Sequence, residues 1–259
     1  MSETHPRSTS PPDDAFDRPE NETAVDWEKF DSDAYFSDNY GRLRSDDSTI
    51  IQIVADYFKR NQPVPELGRA IDVGPGANLY PALMLLPYAS EVVLFERSFV
   101  NRNWLAKELD KPHGSWWQFW DAISAGRSAY DPINKPMETL HGRVTLERGN
   151  VFSLEPDQYD VGTMFFVAES ITRRVDEFQR ATRLFVNALK HNAPFAAAFM
   201  RRSSGYLVAQ KHFPACSIDE DDVHRALAPV ARKVTVRRVR SKGLRPGYDG
   251  MMVATGRRR

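Results

Sequence analysis

Gly74 and Gly76 close an apolar run, Ala70-Ile-Asp-Val73, and Glu96 closes the next one, Val92-Val-Leu-Phe95. These residue types at this spacing are chemistry for a nucleotide. The glycines let the backbone turn sharply and approach a ligand where a Cβ would collide. A carboxylate at the tip of the following strand can accept hydrogen bonds from both hydroxyls of a ribose. Ala77-Asn78 opens a helix whose free N–H groups favour an acceptor or carboxylate nearby.

The turn separates two cofactor classes. A dinucleotide site wants G-x-G-x-x-G, with the third glycine allowing close helix–strand packing; here Leu79 holds that position. The form Asp72-Val-Gly-Pro-Gly76 with an acid ending the next strand instead resembles motif I of the class I S-adenosylmethionine (SAM) methyltransferases. The resemblance implies SAM as cofactor. A dinucleotide or a ligand-free structural turn are the alternatives.

The elements that must place these groups follow from periodicity. Ser48–Arg60 has apolar residues at helical spacing, ended by Pro63 and Pro65. Strands are expected over 70–73, 91–95, 143–148, 159–166 and 194–200, and helices over 79–86, 100–109, 176–189 and 220–228. The segments 233–239 and 251–255 form a terminal hairpin around a turn at Gly243 to Gly250. This predicts an α/β domain with a mostly parallel Rossmann-like sheet, helices on both faces and an antiparallel C-terminal hairpin. Residues 1–24, rich in Ser, Pro, Asp and Glu, read as a disordered tail. Residues 25–259 read as the domain, with lid helices over 25–62 and an aromatic-rich insertion over 110–142. Trp116, Trp117, Phe119 and Trp120 in that insertion could serve the core or an acceptor pocket.

Composition narrows the function. With 35 acidic against 35 basic residues the chain lacks the field of a nucleic-acid binder. No run approaches the roughly 18 apolar residues of a membrane span, and the first residues lack a secretory pattern. One cysteine, Cys216, excludes an internal disulfide, and the six histidines show no ligand spacing. A cytoplasmic, metal-independent protein is expected. The basic stretch Arg232 to Arg240 and the tail Arg257-Arg-Arg259 read as solvated strand and tail residues, with a phosphate-bearing partner as the alternative.

Further along the chain the resemblance becomes particular. Tyr35-Phe-Ser-Asp-Asn-Tyr40, Asp72 to Tyr80, Glu96 to Asn101, Phe165-Phe-Val-Ala-Glu-Ser170 and Ser203-Ser-Gly-Tyr206 resemble the nicotinamide, phenylethanolamine and thioether methyltransferase family, as a bacterial-type member. That resemblance implies SAM-dependent methylation of a small molecule, most simply an amine or heterocyclic nitrogen, by a monomer without nucleic-acid or membrane partners. It implies a lid carrying Tyr35 and Tyr40, and a cofactor site of Tyr40, Asp72, Gly74, Gly76, Asn78, Tyr80, Glu96 and Asn101. Asn150-Val151 would stand where the family has Asp-Val, the carboxamide oxygen still accepting from the adenine amino group. Tyr35, Glu169 and Tyr206 would face the acceptor, with Tyr35 and Glu169 as catalytic candidates. Phe199-Met-Arg201 lacks the acid that some members use to hold an amide, which argues against nicotinamide. Loss of transfer activity, or a NAD(P)-dependent oxidoreductase on a similar sheet, are the competing readings.

Overall fold

Short apolar runs alternating with amphipathic segments commit this chain to a sheet covered on both faces. The structure, a computed structural model, describes residues 25–61, 68–240 and 247–259. The tail expected over 1–24, with Pro63 and Pro65, lies outside the described residues. A 3-10 turn at Trp27–Lys29 leads into α1 (Ser32–Asn39) and α2 (Ser45–Asn61). Then come β1 (Gly68–Val73), α3 (Tyr80–Leu85), β2 (Ala89–Glu96), α4 (Phe99–Asp110), α5 (Trp116–Ser124), α6 (Pro136–Arg143) and β3 (Val144–Arg148). The second half comprises β4 (Val161–Phe165), α7 (Val175–Ala188), β5 (Pro194–Arg201), a small hairpin of β6 (Tyr206–Val208) and β7 (Lys211–Phe213), α8 (Glu220–Leu227), β8 (Ala231–Val239) and β9 (Gly250–Arg258).

The main sheet runs β3-β2-β1-β4-β5-β9-β8. Strands β3, β2, β1, β4 and β5 pair in parallel, and β9 lies antiparallel between β5 and β8. The chain builds outward from β1 in one direction and from β4 in the other. At that reversal the connections leaving β1 and β4 diverge and open a crevice at their C-terminal ends. Central strands are apolar because both faces are covered: β4 is buried throughout, and β5 nearly so.

One apolar layer joins the sheet to α2 through α6, the other to α7 and α8. On α7, Phe178, Ala181, Thr182, Phe185 and Val186 form the buried stripe that i, i+3, i+4 spacing dictates. A reciprocal capping box starts α8: the Asp219 side chain accepts the Asp222 N–H, and Asp222 accepts that of Asp219. The edge strand β8 exposes Arg232, Lys233, Arg237 and Arg238, and its register shifts between Arg232 and Thr235. Charges and a bulge on an edge discourage pairing with another chain, in keeping with the solvated reading of this basic stretch.

Two readings become specific. Helix α2 buries Ile50, Ile51, Val54, Ala55 and Phe58 completely, so most of it packs into the body, while Trp27, Phe30, Tyr35 and Tyr40 line the crevice. Of the two roles open to the insertion, most of its rings take the core, Trp117 alone of those named being exposed. Trp116, Phe119, Trp120 and Tyr130 are buried, the Phe119 ring stacks on Tyr80 at 5.4 Å, and Trp116 stacks on Tyr40 at 6.2 Å. The Arg127 guanidinium ties the insertion down by accepting no bond and donating several: to the carbonyls of Ala122, Ile123 and Ala125, and to Asp56 on α2 at 2.8 Å. The insertion therefore buttresses Tyr40, which lines the crevice, and Tyr80 behind the glycine turn. Phe119→Ala is expected to cost about 3–5 kcal/mol, the range for deleting a buried aromatic, measured by urea unfolding. A loss under about 1 kcal/mol would contradict that packing.

Candidate active site

Glu96 ends β2 at the crevice and is 6 % exposed. Its Oε2 accepts the Gly76 N–H at 3.0 Å and its Oε1 accepts the Ser98 N–H at 2.7 Å. Burial pushes its pKa up, while those two N–H groups and the Asn101 amide pull it down, for a net rise. Each oxygen has a second lone pair, enough for the vicinal hydroxyls of a ribose. Asn101 is oriented in turn by Ser32 on α1, whose hydroxyl donates to its Oδ1 at 2.8 Å.

The Gly74-Pro75-Gly76 turn forms the next wall. Gly74 (φ 64°) and Gly76 (φ 59°) are left-handed, and a Cβ on Gly74 would stand 2.8 Å from Val167, so neither position suits another residue. Asn78 closes the turn by accepting the Tyr80 N–H at 3.1 Å, which starts α3. On the far side, Gly149, Asn150 and Val151 line the cavity with Phe95. A Cβ on Gly149 would overlap the tip of the Phe95 ring, so the ring reaches the backbone here only because the position is glycine. The Asn150 Oδ1 accepts the Phe152 N–H at 3.2 Å. The chain thus offers ribose, turn and base contacts along one crevice, the set an adenosyl group requires.

The sequence places two further cofactor residues differently. Asp72 is buried within the sheet, its Oδ1 accepting from the Thr163 hydroxyl at 2.8 Å. Tyr80 is fully buried under Phe119. Neither lines the crevice. Both stand behind the turn, because alternate side chains of β1 and the inner face of α3 point into the core.

Over the crevice lies a small aromatic clasp. Trp27 stacks on Phe213 (5.5 Å), Phe30 meets Phe213 edge-on (5.2 Å), and Tyr206 stacks on the other side of Phe213 (5.6 Å). Phe30 also contacts Tyr35, which contacts Tyr40. The N-terminal segment and the β6–β7 hairpin therefore meet in a third apolar cluster, separate from both main layers. Sequence reading names Tyr35, Tyr40 and Tyr206 but misses the hairpin and Trp27, Phe30 and Phe213. Three-residue strands carry almost no periodicity, which is why.

Beside the nucleotide cavity opens a second compartment. Tyr35, Tyr40, Phe166, Ser170 and Tyr206 line both, so these residues mark the passage between them. Phe166 holds φ 59°, costly for an aromatic residue. Its N–H is fixed on the Ala198 carbonyl at 2.7 Å. Glu169, expected at the acceptor face, lines neither compartment. It is fully buried, its Oε1 accepting the Met200 N–H at 2.8 Å and its backbone carbonyl accepting the Cys216 N–H at 2.6 Å. It braces the wall that Ser170 and Met200 present. Arg201 also faces away, held between Glu220 and Asp249.

Burial pushes Asp47 and Glu169 up to about 7 and Asp72 up to about 8. Each folded pKa lies above its unfolded value, so the folded chain holds the proton more tightly. The stability these three groups contribute is fully present below the ordinary values of 3.8 and 4.5 and is lost as pH climbs through the folded values. Glu169→Gln should remove roughly 2 kcal/mol of this loss. Urea unfolding at about pH 5 and about pH 8 tests it: an equal fall in variant and wild type would refute the assignment.

Comparison with known proteins agrees with this geometry. Among solved structures, a SAM-dependent methyltransferase from Methanosarcina mazei superimposes with a TM-score of 0.53 at 13 % identity, covering 80 % of this chain and 96 % of its own. The glycopeptide N-methyltransferase MtfA, complexed with S-adenosylhomocysteine, gives 0.53 at 12 % identity, covering 80 % and 89 %. The Burkholderia thailandensis 1,6-didemethyltoxoflavin-N1-methyltransferase gives 0.51 at 14 % identity, covering 88 % and 84 %. At these identities the likeness is one of fold. No curated protein matches the chain in sequence. The sequence profile of the NNMT/PNMT/TEMT family, however, matches residues 21–258, nearly the whole chain, and the protein belongs to that family of SAM-dependent methyltransferases.

Proposed function

We propose that this enzyme methylates a nitrogen of a small molecule, an amine or a heterocycle. The observation that carries the reading is the junction of the two compartments. The Glu96 carboxylate and the glycine turn lie on one side, an aromatic-walled cavity on the other, and Tyr35, Phe166, Ser170 and Tyr206 stand between.

Bound SAM supplies a methyl group already activated on a sulfonium. The chain's task is then alignment and the exclusion of water. Glu96 would fix the ribose, Gly74 and Gly76 would admit the amino-acid end, and Asn150 and Val151 would hold the base. Tyr35 and Tyr40 would close the passage from above. Their ring faces suit a centre that is positively charged before and after transfer. A neutral amine attacks without losing a proton first, whereas one that arrives as an ammonium must first give a proton to a carboxylate or to water. Glu169, behind the wall, acts through Ser170 and Met200 as a positioning residue. Nicotinamide itself is disfavoured, since the end of β5 brings Met200 rather than an acid to the second compartment.

Calorimetric titration with S-adenosylhomocysteine tests the cofactor assignment. Glu96→Ala should weaken binding at least about 100-fold, since two hydrogen bonds to a charged group are lost. A screen of amines, thioethers and phenols with SAM should show turnover with amines. Turnover confined to phenols would sink the nitrogen assignment, and unaltered binding by Glu96→Ala would sink the site.

A further inference from the structure

The second compartment contains a carboxylate that the methyl-transfer machinery above does not use. Asp47, in the first turn of α2, is 4 % exposed and lines this compartment but not the nucleotide cavity. It has no ion-pair partner among the described residues. Arg44, the basic side chain nearest in sequence, directs its guanidinium at the adjacent Asp46 instead, at 3.4 and 3.5 Å. Asp46 is itself buried and also accepts the Asp47 N–H at 3.0 Å. Two acids therefore share one arginine, and the one facing the cavity is left over.

A desolvated carboxylate without a counter-charge is costly. Burial and the charge of Asp46 raise the Asp47 pKa to about 7, and the Arg44 charge and the Tyr80 hydroxyl counter them only in part. The aromatic faces of Tyr35, Tyr40, Phe166 and Tyr206 line the same space, and ring faces attract cations. A cationic ligand would relieve the carboxylate and use those faces together, whereas a neutral alcohol or thioether would leave the charge unmatched. An anionic ligand would meet an arginine already neutralised by Asp46. We propose that Asp47 recognises an ammonium group of the methyl acceptor, so that the second compartment selects amines that carry a positive charge at neutral pH. This rests on the methyltransferase reading and deepens it.

One other ammonium is near at hand, that of the amino-acid end of SAM, and the experiment separates the two. Benzylamine and its neutral counterpart benzyl alcohol are titrated into wild type and Asp47→Asn, each saturated with S-adenosylhomocysteine. Wild type should bind the amine at least about tenfold more tightly than the alcohol, and Asp47→Asn should erase that preference while leaving affinity for S-adenosylhomocysteine within about twofold. The wild-type preference needs no variant, so the test survives if Asp47→Asn folds poorly. Intact S-adenosylhomocysteine binding with no amine preference in wild type overturns this inference alone. A variant that keeps the preference but binds S-adenosylhomocysteine at least about tenfold more weakly assigns Asp47 to the cofactor and overturns it too. Wild type that binds no S-adenosylhomocysteine removes the methyltransferase reading and this inference together.

Discussion

The pair of backbone N–H groups that Gly76 and Ser98 direct at Glu96 is the constraint on which the site depends. It is one short connection between three elements. Gly76 belongs to the turn after β1, Glu96 ends β2, and Ser98 caps α4 by accepting the Asn101 N–H. Asn101 then reaches Ser32 on α1. Fixing one carboxylate thus fixes the relative position of the glycine turn, the ribose contact and the root of the lid. Parallel pairing of β1 and β2 in register, Asp72 opposite Leu94 and Val73 opposite Phe95, makes this possible, since it brings the two strand ends to the same level. A slip of one residue would turn Glu96 to the other face of the sheet.

The aromatic clasp is built differently from the body it covers. Its buried members are only Phe30, Val208 and Phe213, with Val25, Trp27, Tyr35 and Tyr206 partly exposed around them. A cluster this small contributes far less than the two main layers, so it can open at low free-energy cost while the sheet stays intact. That suits a cover which must admit two ligands and release two. The clasp is nonetheless tied to the site, because Tyr35 and Tyr206 belong to both. In the lid role proposed for this segment, closure and completion of the passage between compartments would be the same event.

The sequence made the nucleotide side legible and the acceptor side largely not. Gly74, Gly76 and Glu96 could be read because turn geometry and a strand-end acid are local properties, encoded within a few residues. The mostly parallel sheet followed from alternation, since buried parallel strands must be apolar and their crossovers helical. Asp47 escaped notice because nothing local distinguishes it from a helix-capping acid. Only the fold shows that Arg44 is committed to Asp46 and that α2 turns Asp47 to the cavity. Glu169 shows the reverse case. Its position in the family pattern pointed to the acceptor, but its Oε1 holds the Met200 N–H, a contact between segments that no local pattern announces. The insertion's tryptophans were ambiguous for the same reason, since a buried ring and a pocket ring have the same residue type.

The distribution of buried acids follows from what the site must do. Asp47, Asp72, Glu96 and Glu169 are all buried near the crevice, and all are raised in pKa by desolvation. Glu96 is the most fully compensated, by two backbone N–H groups and the Asn101 amide. It is also the one whose proposed partner is neutral, a pair of hydroxyls, so its charge would have to be balanced within the fold. Among the described residues Asp47 accepts no backbone N–H, and the Arg44 charge and the Tyr80 hydroxyl offset its burial only in part, so its pKa stands at about 7 and a cation arriving from outside would hold it ionised. A carboxylate satisfied by the fold serves a neutral ligand group, and one left unsatisfied serves a cation. The two compartments therefore differ in the ligand chemistry they can take because the backbone supplies donors to one acid and withholds them from the other.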